Sequence, residues 1–222
     1  MKKKLEICAF SIEDCIKVSK YKIDRIEFCK NRKEGGISPK KSEIAKAIKF
    51  FPNIYPIIRP RKGNFIYNEE ELYKMVDLIT FCKKVGCKGV VFGALNDDKE
   101  IDIKKCKILL EKSGNMSTTF HKAFDEVKNT FKAIEELIIL GFDRVLTSGK
   151  EKNALEGIKM INDLAEKTHN KISIMPGGGI RSNNINEFLY NKYLNEFHSS
   201  CIIDNEFKEI EVENLIKRIS NV

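Results

Sequence analysis

The sequence predicts an α/β protein that folds as one compact (β/α)8 barrel, with few insertions, over residues 1–222 as a single domain. Short apolar segments rich in β-branched residues alternate with longer segments of helical period, which is typical of βαβ units around a parallel sheet. Eight such units divide the 222 residues into about 28 residues each. The alternative, an open doubly wound sheet, normally carries a glycine-rich loop after its first strand, whereas here that strand leads into Cys8-Ala9-Phe10-Ser11.

Eight strands are predicted where apolar and β-branched residues form short runs. They cover residues 5–9, 25–29, 54–59, 89–93, 117–121, 144–148, 172–175 and 196–200. In a barrel of this kind, the carboxyl ends of the strands and the loops that follow them carry the functional residues. We therefore expect any binding or catalytic site to be built from the last residues of these strands.

The first, second and fourth helices are predicted from residues that cap helix amino termini. Ser11 is expected to open the first helix and Asp102 the fourth, because their side-chain oxygens can accept hydrogen bonds from free backbone N–H groups. Ser38 followed by Pro39 is expected to open the second helix, with the proline at its first position.

Three further helices are predicted from apolar spacing and from residues that end or start helices. Residues 69–85 carry apolar side chains at helical spacing, and Gly86 is expected to end that helix. Residues 128–140 are expected to form the fifth helix, and Asn183 or Asn184 to start the seventh.

The composition is that of an ordinary soluble globular protein, with 42% hydrophobic and 32% charged residues. The net charge is +8, from 40 basic and 32 acidic residues, and the lysines are spread along the chain among the acidic residues. A nucleic-acid-binding protein clusters its positive charge, so this distribution predicts a solvated lysine surface and no nucleic-acid partner.

The seven cysteines are an odd number, and several lie inside apolar runs. The amino-terminal apolar stretch is short and is interrupted by Glu6, unlike a signal peptide. These features predict reduced thiols in a cytoplasmic protein. No run approaches the ~18–20 apolar residues of a membrane span, so no membrane partner is expected.

The first two strands repeat a Glu-x-Cys pattern, at Glu6 and Cys8 and again at Glu27 and Cys29. Side chains alternate along a strand, so each glutamate shares a face with its cysteine. If that face lines the barrel, two thiols stand close together on adjacent strands. Two thiols are too few for a structural zinc site, and Cu(I) is the better candidate for such soft ligands. The alternative is that both cysteines are small buried hydrophobic residues.

Arg59 and Arg61 share a face at the end of the third strand. A carboxylate inside a barrel must be paired or hydrogen-bonded to be tolerated. These arginines are therefore expected to neutralise Glu6 and Glu27, to bind an anionic ligand, or to do both. The alternative is a purely structural cluster of ion pairs.

Two of the three histidines lie at strand ends. His121 ends the fifth strand, with Asp125 beyond it as a further ligand-binding candidate, and His198 lies on the eighth strand. Both histidines are candidates for proton transfer or for ligand binding. The alternative for each is a hydrogen-bonded histidine of the core.

The last three strands end in small residues that suit an anion site. Backbone N–H groups and small hydroxyl residues after the final strands are where barrels of this kind often bind phosphate. The candidates are Ser148, Gly177, Gly178, Gly179 and Ser199, with Arg181 beside the glycines. The alternative for the glycines is a simple turn.

Nine ordered sequence blocks carry a family resemblance. They are LEICAFS (5–11), DRIEFC (24–29), GGISP (35–39), IRPRKGNFIY (58–67), GVVFGAL (89–95), TFHKAFD (119–125), LGFDRVLTSG (140–149), IMPGGGI (174–180) and EFHSS (196–200). They resemble the CutC family, named for copper homeostasis, along essentially the whole chain. The resemblance implies a (β/α)8 barrel, Cu(I) bound through Cys8 and Cys29, and a homo-oligomer, either a dimer or a tetramer.

Two positions depart from the pattern of that family. Lys122 stands where arginine is usual, and Asn64 stands where aspartate is frequent. Lysine keeps the positive charge but lacks the bidentate fork of arginine, so a planar contact to a carboxylate or phosphate is not expected at residue 122.

Two hypotheses of different class follow. The first is a cytosolic copper-homeostasis protein that binds Cu(I) through the two thiols. The second is a barrel enzyme for a small anionic or phosphorylated metabolite, with no particular reaction implied. In the second, the two arginines clamp the anion, the glycines cradle phosphate, and Glu6, Glu27 or His121 exchange protons.

Overall fold

The computed structural model describes residues 2–221 and shows eight parallel strands, each followed by a helix, that form a (β/α)8 barrel. The barrel strands are β1 (Lys4–Ala9), β2 (Arg25–Phe28), β3 (Ile54–Pro56), β4 (Gly89–Phe92), β5 (Ser117–Phe120), β6 (Arg144–Thr147), β7 (Ser173–Pro176) and β8 (Glu196–Ser199). The helices are α1 (Ile12–Val18), α2 (Lys41–Ala47), α3 (Glu69–Val85), α4 (Ile103–Ser113), α5 (Thr130–Leu140), α6 (Ile158–Thr168), α7 (Asn186–Leu189) and α8 (Glu209–Ser220). A small antiparallel hairpin, β9 (Ile202–Ile203) and β10 (Glu206–Phe207), lies between β8 and α8. The predicted fold class is confirmed.

The barrel closes around two four-stranded ladders. In the first, β1 lies between β2 and β8, and β3 pairs with β2; the second runs from β4 through β5 and β6 to β7. A parallel bridge between Ile57 and Val91 joins the ladders, and β7 lies against β8 at the opposite seam. All eight carboxyl ends therefore meet at one rim, termed the mouth below.

Apolar side chains form two separate cores. The larger core lies between the strands and the surrounding helices and holds most of the buried aliphatic and aromatic residues. The smaller core lies inside the barrel and consists of Cys8, Cys29, Tyr55, Ile57 and Val91. Gly89 leaves room for this inner core, because a Cβ at that position would lie 2.1 Å from the Tyr55 ring.

Three of the predicted helix signals are confirmed. Ser11 and Asp102 cap α1 and α4, and each side chain accepts a hydrogen bond of 2.9 Å from the backbone N–H three residues on. α3 covers residues 69–85 as predicted and ends at Gly86, whose φ of 88° is a left-handed conformation that glycine adopts without strain.

Three predicted helix starts are wrong, and each helix begins two or three residues later. Before α2, the Ser38 hydroxyl accepts the Arg59 N–H and so does not cap the helix. Asn129 caps α5 in place of the predicted start at residue 128. Before α7, the Asn184 side chain accepts the Arg181 N–H and stabilises the preceding turn instead. For Ser38 and Asn184, a local hydrogen bond competes with the helix for the side chain.

Several strands end earlier than predicted. Residues 29, 93, 121, 148 and 200 each lie one position beyond the observed end of their strand, and residue 59 lies three beyond. These residues begin the loops at the mouth. The sequence therefore places them at the correct rim, but as loop residues instead of ladder residues.

The seven cysteines are all buried, and none forms a disulfide within residues 2–221. In the same range, the helices are too short or too polar to cross a lipid bilayer.

Candidate functional site

Four charged side chains form a buried cluster at the amino-terminal end of the lumen. The Arg25 Nε–H donates to Glu6 Oε2 (2.9 Å), the Arg144 Nε–H donates to Glu196 Oε2 (3.1 Å), and Arg25 also pairs with Glu196. Burial alone would raise the pKa of Glu6, but Arg25 and His198 more than offset this and lower it to about 2. Glu6 is therefore a fixed anion that holds its neighbours in place.

The predicted pairing of Arg59 and Arg61 with the lumen glutamates is wrong. Arg59 donates its terminal N–H groups to three backbone carbonyls in the loops after β2 and β3, at 2.8–3.0 Å. Arg61 pairs with Glu71 at the start of α3 and does not line the mouth cavity. Arg25 pairs with Glu6 in their place, and Glu27 faces His198. The two arginines therefore form no joint clamp for an anion.

His198 links two glutamates above this cluster. Its Nδ1 lies 2.7 Å from Glu6 Oε1, and its Nε2 lies 3.7 Å from Glu27 Oε2. Burial alone would lower the pKa of His198, but the hydrogen bond to Glu6 and the charges of both glutamates outweigh it and raise this pKa. Burial and the nearby Glu6 charge raise the pKa of Glu27, although His198 opposes them. Glu27 and His198 therefore bind protons more firmly than free side chains, which suits them to proton transfer.

Cys8 and Cys29 face each other inside the barrel, with their Sγ atoms 3.7 Å apart. The strand register pairs Glu6 with Arg25 and Cys8 with Glu27, so the two Glu-x-Cys patterns are offset by two residues. Burial, with the Glu27 charge adding to it, raises the pKa of Cys8 well above its ordinary value and that of Cys29 to about 12. Both side chains are therefore protonated thiols at neutral pH.

Cys8, Glu27 and His198 form a cluster of potential metal ligands, termed the donor set below. One ligand atom of each lies within 4.8 Å of the other two, and the Cys29 sulfur adjoins Cys8. Glu6 holds the Nδ1 side of His198, which turns Nε2 toward the donor set. This is how a carboxylate commonly orients a metal-binding histidine.

A cavity of about 180 Å³ opens at the mouth above the donor set. Eight of the predicted site residues line it: Cys8, Glu27, Cys29, Arg59, His121, Gly178, Gly179 and His198. The rest of the lining includes Phe10, Ile57, Phe65, Lys122, Leu146 and Ser200. Six predicted residues lie outside it: Glu6, Arg61, Asp125, Ser148, Gly177 and Ser199.

Structural hydrogen bonds occupy the polar atoms of three predicted site residues, Asp125, Ser148 and Ser199. Asp125 accepts from four donors at the end of β6 and in the following loop, including the Ser148 N–H and the Ser148 hydroxyl, both at 3.0 Å. The Ser199 hydroxyl donates to the Ile180 carbonyl at 2.7 Å. These contacts hold the loops of the mouth together.

The three glycines after β7 have different surroundings. A Cβ at Gly177 would lie 2.4 Å from Leu146 Cδ1, so the missing side chain allows close packing at the strand end. Gly178 and Gly179 have φ values of 92° and 88° and line the cavity. A Cβ at Gly178 would lie 3.3 Å from the Lys122 ammonium nitrogen, which places that cation over the glycine loop.

His121 lines the cavity from the end of β5. Its Nδ1 accepts the Ala123 N–H at 3.3 Å, and its ring packs against Phe65 with centroids 4.8 Å apart. Burial, and then the Arg59 charge, lower the pKa of His121 to about 3. At neutral pH it is thus an uncharged imidazole, suited to donating a hydrogen bond and not to carrying a positive charge.

Sequence reasoning missed Arg25, Arg144 and Glu196, which supply most of the charge in the buried cluster. Each is the first residue of its strand. The alternation that places Glu27 and His198 inside the barrel also places Arg25 and Glu196 there, because they lie two residues earlier. The signal was therefore present, at the ends of the strands opposite to the mouth.

Comparisons with known proteins agree with this architecture. A model of the CutC family matches residues 3–203 of the chain. The "family protein CutC" of Parabacteroides distasonis is 42% identical over 203 residues, which cover 90% of this chain and 84% of that protein. The human copper homeostasis protein cutC homolog is 39% identical over 199 residues, or 89% of this chain and 72% of that protein. The solved structure of a CutC protein from Streptococcus agalactiae has a TM-score of 0.84 and 31% identity, covering 89% of this chain and 98% of its own.

Proposed function

The chain belongs to the CutC family, and we propose that it acts in copper homeostasis by binding Cu(I) through Cys8 and Cys29. Relatives that carry the copper-homeostasis name match this chain over 89% of its length. The observation that supports copper as the ligand is the 3.7 Å separation of the two Sγ atoms beside a cavity that opens at the mouth.

Two neighbouring thiols in apolar surroundings suit a soft metal ion. Thiolate ligands select Cu(I) among the common ions, together with zinc and iron–sulfur clusters. Glu27 and His198 bring an oxygen and a nitrogen within 4.8 Å of the Cys8 sulfur, and Zn(II) would also accept such mixed ligands. The choice of Cu(I) rests on the paired sulfurs, and competition between the two metals tests it.

Metal binding at this site must release protons, since metals bind the thiolate form and both thiols have raised pKa values. Glu27 pairs with Cys8 in the strand register and is the nearest carboxylate that can receive a proton. We therefore expect the copper affinity to increase with pH until both thiols are deprotonated in the free protein.

We expect the protein to act as a single domain in the cytoplasm and to form a homo-oligomer, either a dimer or a tetramer. The buried, unpaired thiols are typical of a reducing compartment. Light scattering after size-exclusion chromatography measures the oligomeric state, and fractionation of cells with an antibody against the chain measures its location.

An anaerobic titration with a competing Cu(I) chelator tests the proposal. The Cys8→Ser/Cys29→Ser variant should bind Cu(I) at least about 100-fold more weakly than the wild type, because it lacks both soft ligands. Cys106→Ser is the matched control: this thiol is equally buried but lies in the outer core and hydrogen-bonds the Ala94 carbonyl, as a hydroxyl can. Equal copper affinity in the double variant, or displacement of Cu(I) by equimolar Zn(II), would contradict the proposal.

A barrel enzyme that acts on a small anionic or phosphorylated metabolite is the second candidate function. The proton-binding pair of Glu27 and His198 beside an open cavity favours it. The expected arginine clamp does not support it, because Arg61 lies away from the cavity. Native mass spectrometry of freshly purified protein tests this function by detecting a bound metabolite.

A further inference from the structure

Two buried N–H donors on the wall of the mouth cavity have no hydrogen-bond partner in the described part of the chain. They are Nε2 of His121 and Nε of Arg59, on side chains that are 3% and 7% exposed. Native proteins pair nearly all buried polar atoms, so each exception calls for an explanation. Both side chains line the same cavity. The Tyr67 hydroxyl lies near the Arg59 guanidinium and is an acceptor available to it, whereas a ligand with oxygen acceptors would satisfy His121.

The protonation of His121 is fixed by its backbone contact. Because Nδ1 accepts the Ala123 N–H, Nδ1 carries no proton, and the proton of the neutral ring lies on Nε2. The Nδ1 side of the ring lies against Gly93, where a Cβ would approach Nδ1 to 2.8 Å. The ring therefore turns its other side to the cavity and presents an N–H that needs an acceptor.

A positively charged side chain lines the same cavity. The side chain of Lys122 lines the cavity, is 42% exposed, and lies 3.7 Å from its nearest carboxylate, Asp125. Within residues 2–221, the backbone N–H groups of Gly178 and Gly179 donate to no backbone carbonyl, and Gly178 lies beside the Lys122 ammonium group. An uncharged donor, a partly exposed cation and free backbone N–H groups together suit a small oxyanion.

The other residues that line the cavity limit the charge distribution and the size of the ligand. Glu27 lies on the opposite wall, so an anionic group is directed away from it and toward His121 and Lys122. Phe65 and Leu146 offer apolar contact between the two walls. At about 180 Å³ the cavity is smaller than the ~300–1,000 Å³ of pockets for drug-sized ligands.

We infer that the mouth cavity binds a small carboxylate or phosphate through the Nε2–H of His121, with Lys122 as the counter-charge. This oxyanion site shares the cavity with the thiols but uses other residues, so its ligand binds without copper being present. Its ligand has few atoms beyond the anionic group.

Nuclear magnetic resonance of the metal-free, full-length protein tests the inference in two steps. The first is a long-range ¹H–¹⁵N spectrum of the histidine rings at neutral pH, which should show His121 with its proton on Nε2. The second is a titration with inorganic phosphate and, separately, with pyruvate. At least one probe should shift the His121 resonances with a saturable dependence below about 10 mM.

Two variants of His121 separate the ligand contact from the structural role of the residue. His121→Asn keeps a side-chain acceptor for the Ala123 N–H but removes the distal donor, whereas His121→Gln can place an amide N–H near the former Nε2. We expect His121→Asn to weaken binding of the effective probe at least about tenfold and His121→Gln to weaken it less. Lys122→Met should also weaken binding, and Lys122→Arg should preserve it.

Three results would overturn the inference. One is a free-state spectrum with the proton on Nδ1, which needs no variant and is unaffected by a variant that fails to fold. Another is an unchanged affinity in folded His121→Asn. The third is the absence of any saturable shift with both probes up to about 10 mM. Failure of copper binding would leave all three readouts intact, because they are made on metal-free protein.

Discussion

Glu6 Oε1 lies 2.7 Å from His198 Nδ1, across the pairing of β1 with β8 inside the barrel. The other carboxylate oxygen of Glu6 accepts the Arg25 Nε–H at 2.9 Å. One buried carboxylate therefore fixes both the charged cluster at the closed end of the lumen and the imidazole that faces the thiols. The stability of the barrel and the geometry of the donor set depend on the same side chain.

Replacing Glu6 with glutamine should destabilise the protein. The change removes one of the two carboxylates that pair with Arg25 and the one that hydrogen-bonds His198, and breaking a buried ion pair costs up to about 3–5 kcal/mol. Urea denaturation measures the loss, with Glu70→Gln as the control because Glu70 pairs with Lys74 on the exposed surface of α3. A Glu6→Gln variant as stable as the control would contradict the role assigned to this carboxylate.

The low pKa of His121 predicts a loss of stability in mild acid. This pKa is about 3 in the folded protein and about 6.5 in an ordinary histidine. Between these values the unfolded chain binds one more proton, so the free energy of unfolding decreases as the pH falls, by about 1.4 kcal/mol per pH unit. The contribution is fully present above pH 6.5 and is lost toward pH 3.

His121→Asn removes this titration. Urea unfolding measured between about pH 4.5 and 7 should therefore show a pH dependence that is weaker by about one proton in the variant. Carboxylates such as Glu6, whose folded pKa is also lowered, contribute equally to both proteins and cancel in the comparison. Identical pH slopes for wild type and variant would show that His121 is not held neutral by its surroundings.

Glu27→Gln should make the two lumen thiols more reactive. The Glu27 charge helps to raise the pKa values of Cys8 and Cys29, so its removal lowers them and increases the thiolate fraction. Alkylation by iodoacetamide at about pH 8.5, followed by peptide mass spectrometry, should show faster labelling of both cysteines. Cys106 is an internal reference in the same digest, since it lies in the outer core. Labelling that is unchanged, or that increases equally at Cys106, would argue against a specific effect of Glu27.

The period-two alternation of strands allows the lumen residues of the first two strands to be predicted, because it decides which face a side chain occupies. It does not decide which residues of neighbouring strands stand side by side. The stagger between β1 and β2 sets Cys8 beside Glu27 and Glu6 beside Arg25, although the repeated Glu-x-Cys pattern suggests that like residues align. That stagger follows from closure of the whole barrel and has no local sequence signal.

The partners of long side chains were the least predictable part of the site. Arg59 reaches the carbonyls of two loops, and Arg61 reaches α3, because a guanidinium on a flexible stem can find acceptors in several directions. Short side chains were placed more accurately: the Cys8 and Cys29 sulfurs lie where the strand pattern puts them. Lys122 becomes a candidate binding residue only because its ammonium group lies beside Gly178, which is 56 residues later in the chain.

The buried cluster of Arg25, Glu6, Glu196 and Arg144 closes the barrel below His198, and the cavity opens only on the mouth side of it. The thiols and His121 line this one cavity, so a metal ion and an anionic ligand reach them through the same space. An oxyanion bound beside Lys122 would obstruct the path of a metal ion to the thiols. A protein that delivers the metal would then load the thiols only while the cavity holds no anion. The two occupants would exclude each other by sterics alone, with no change in the shape of the protein.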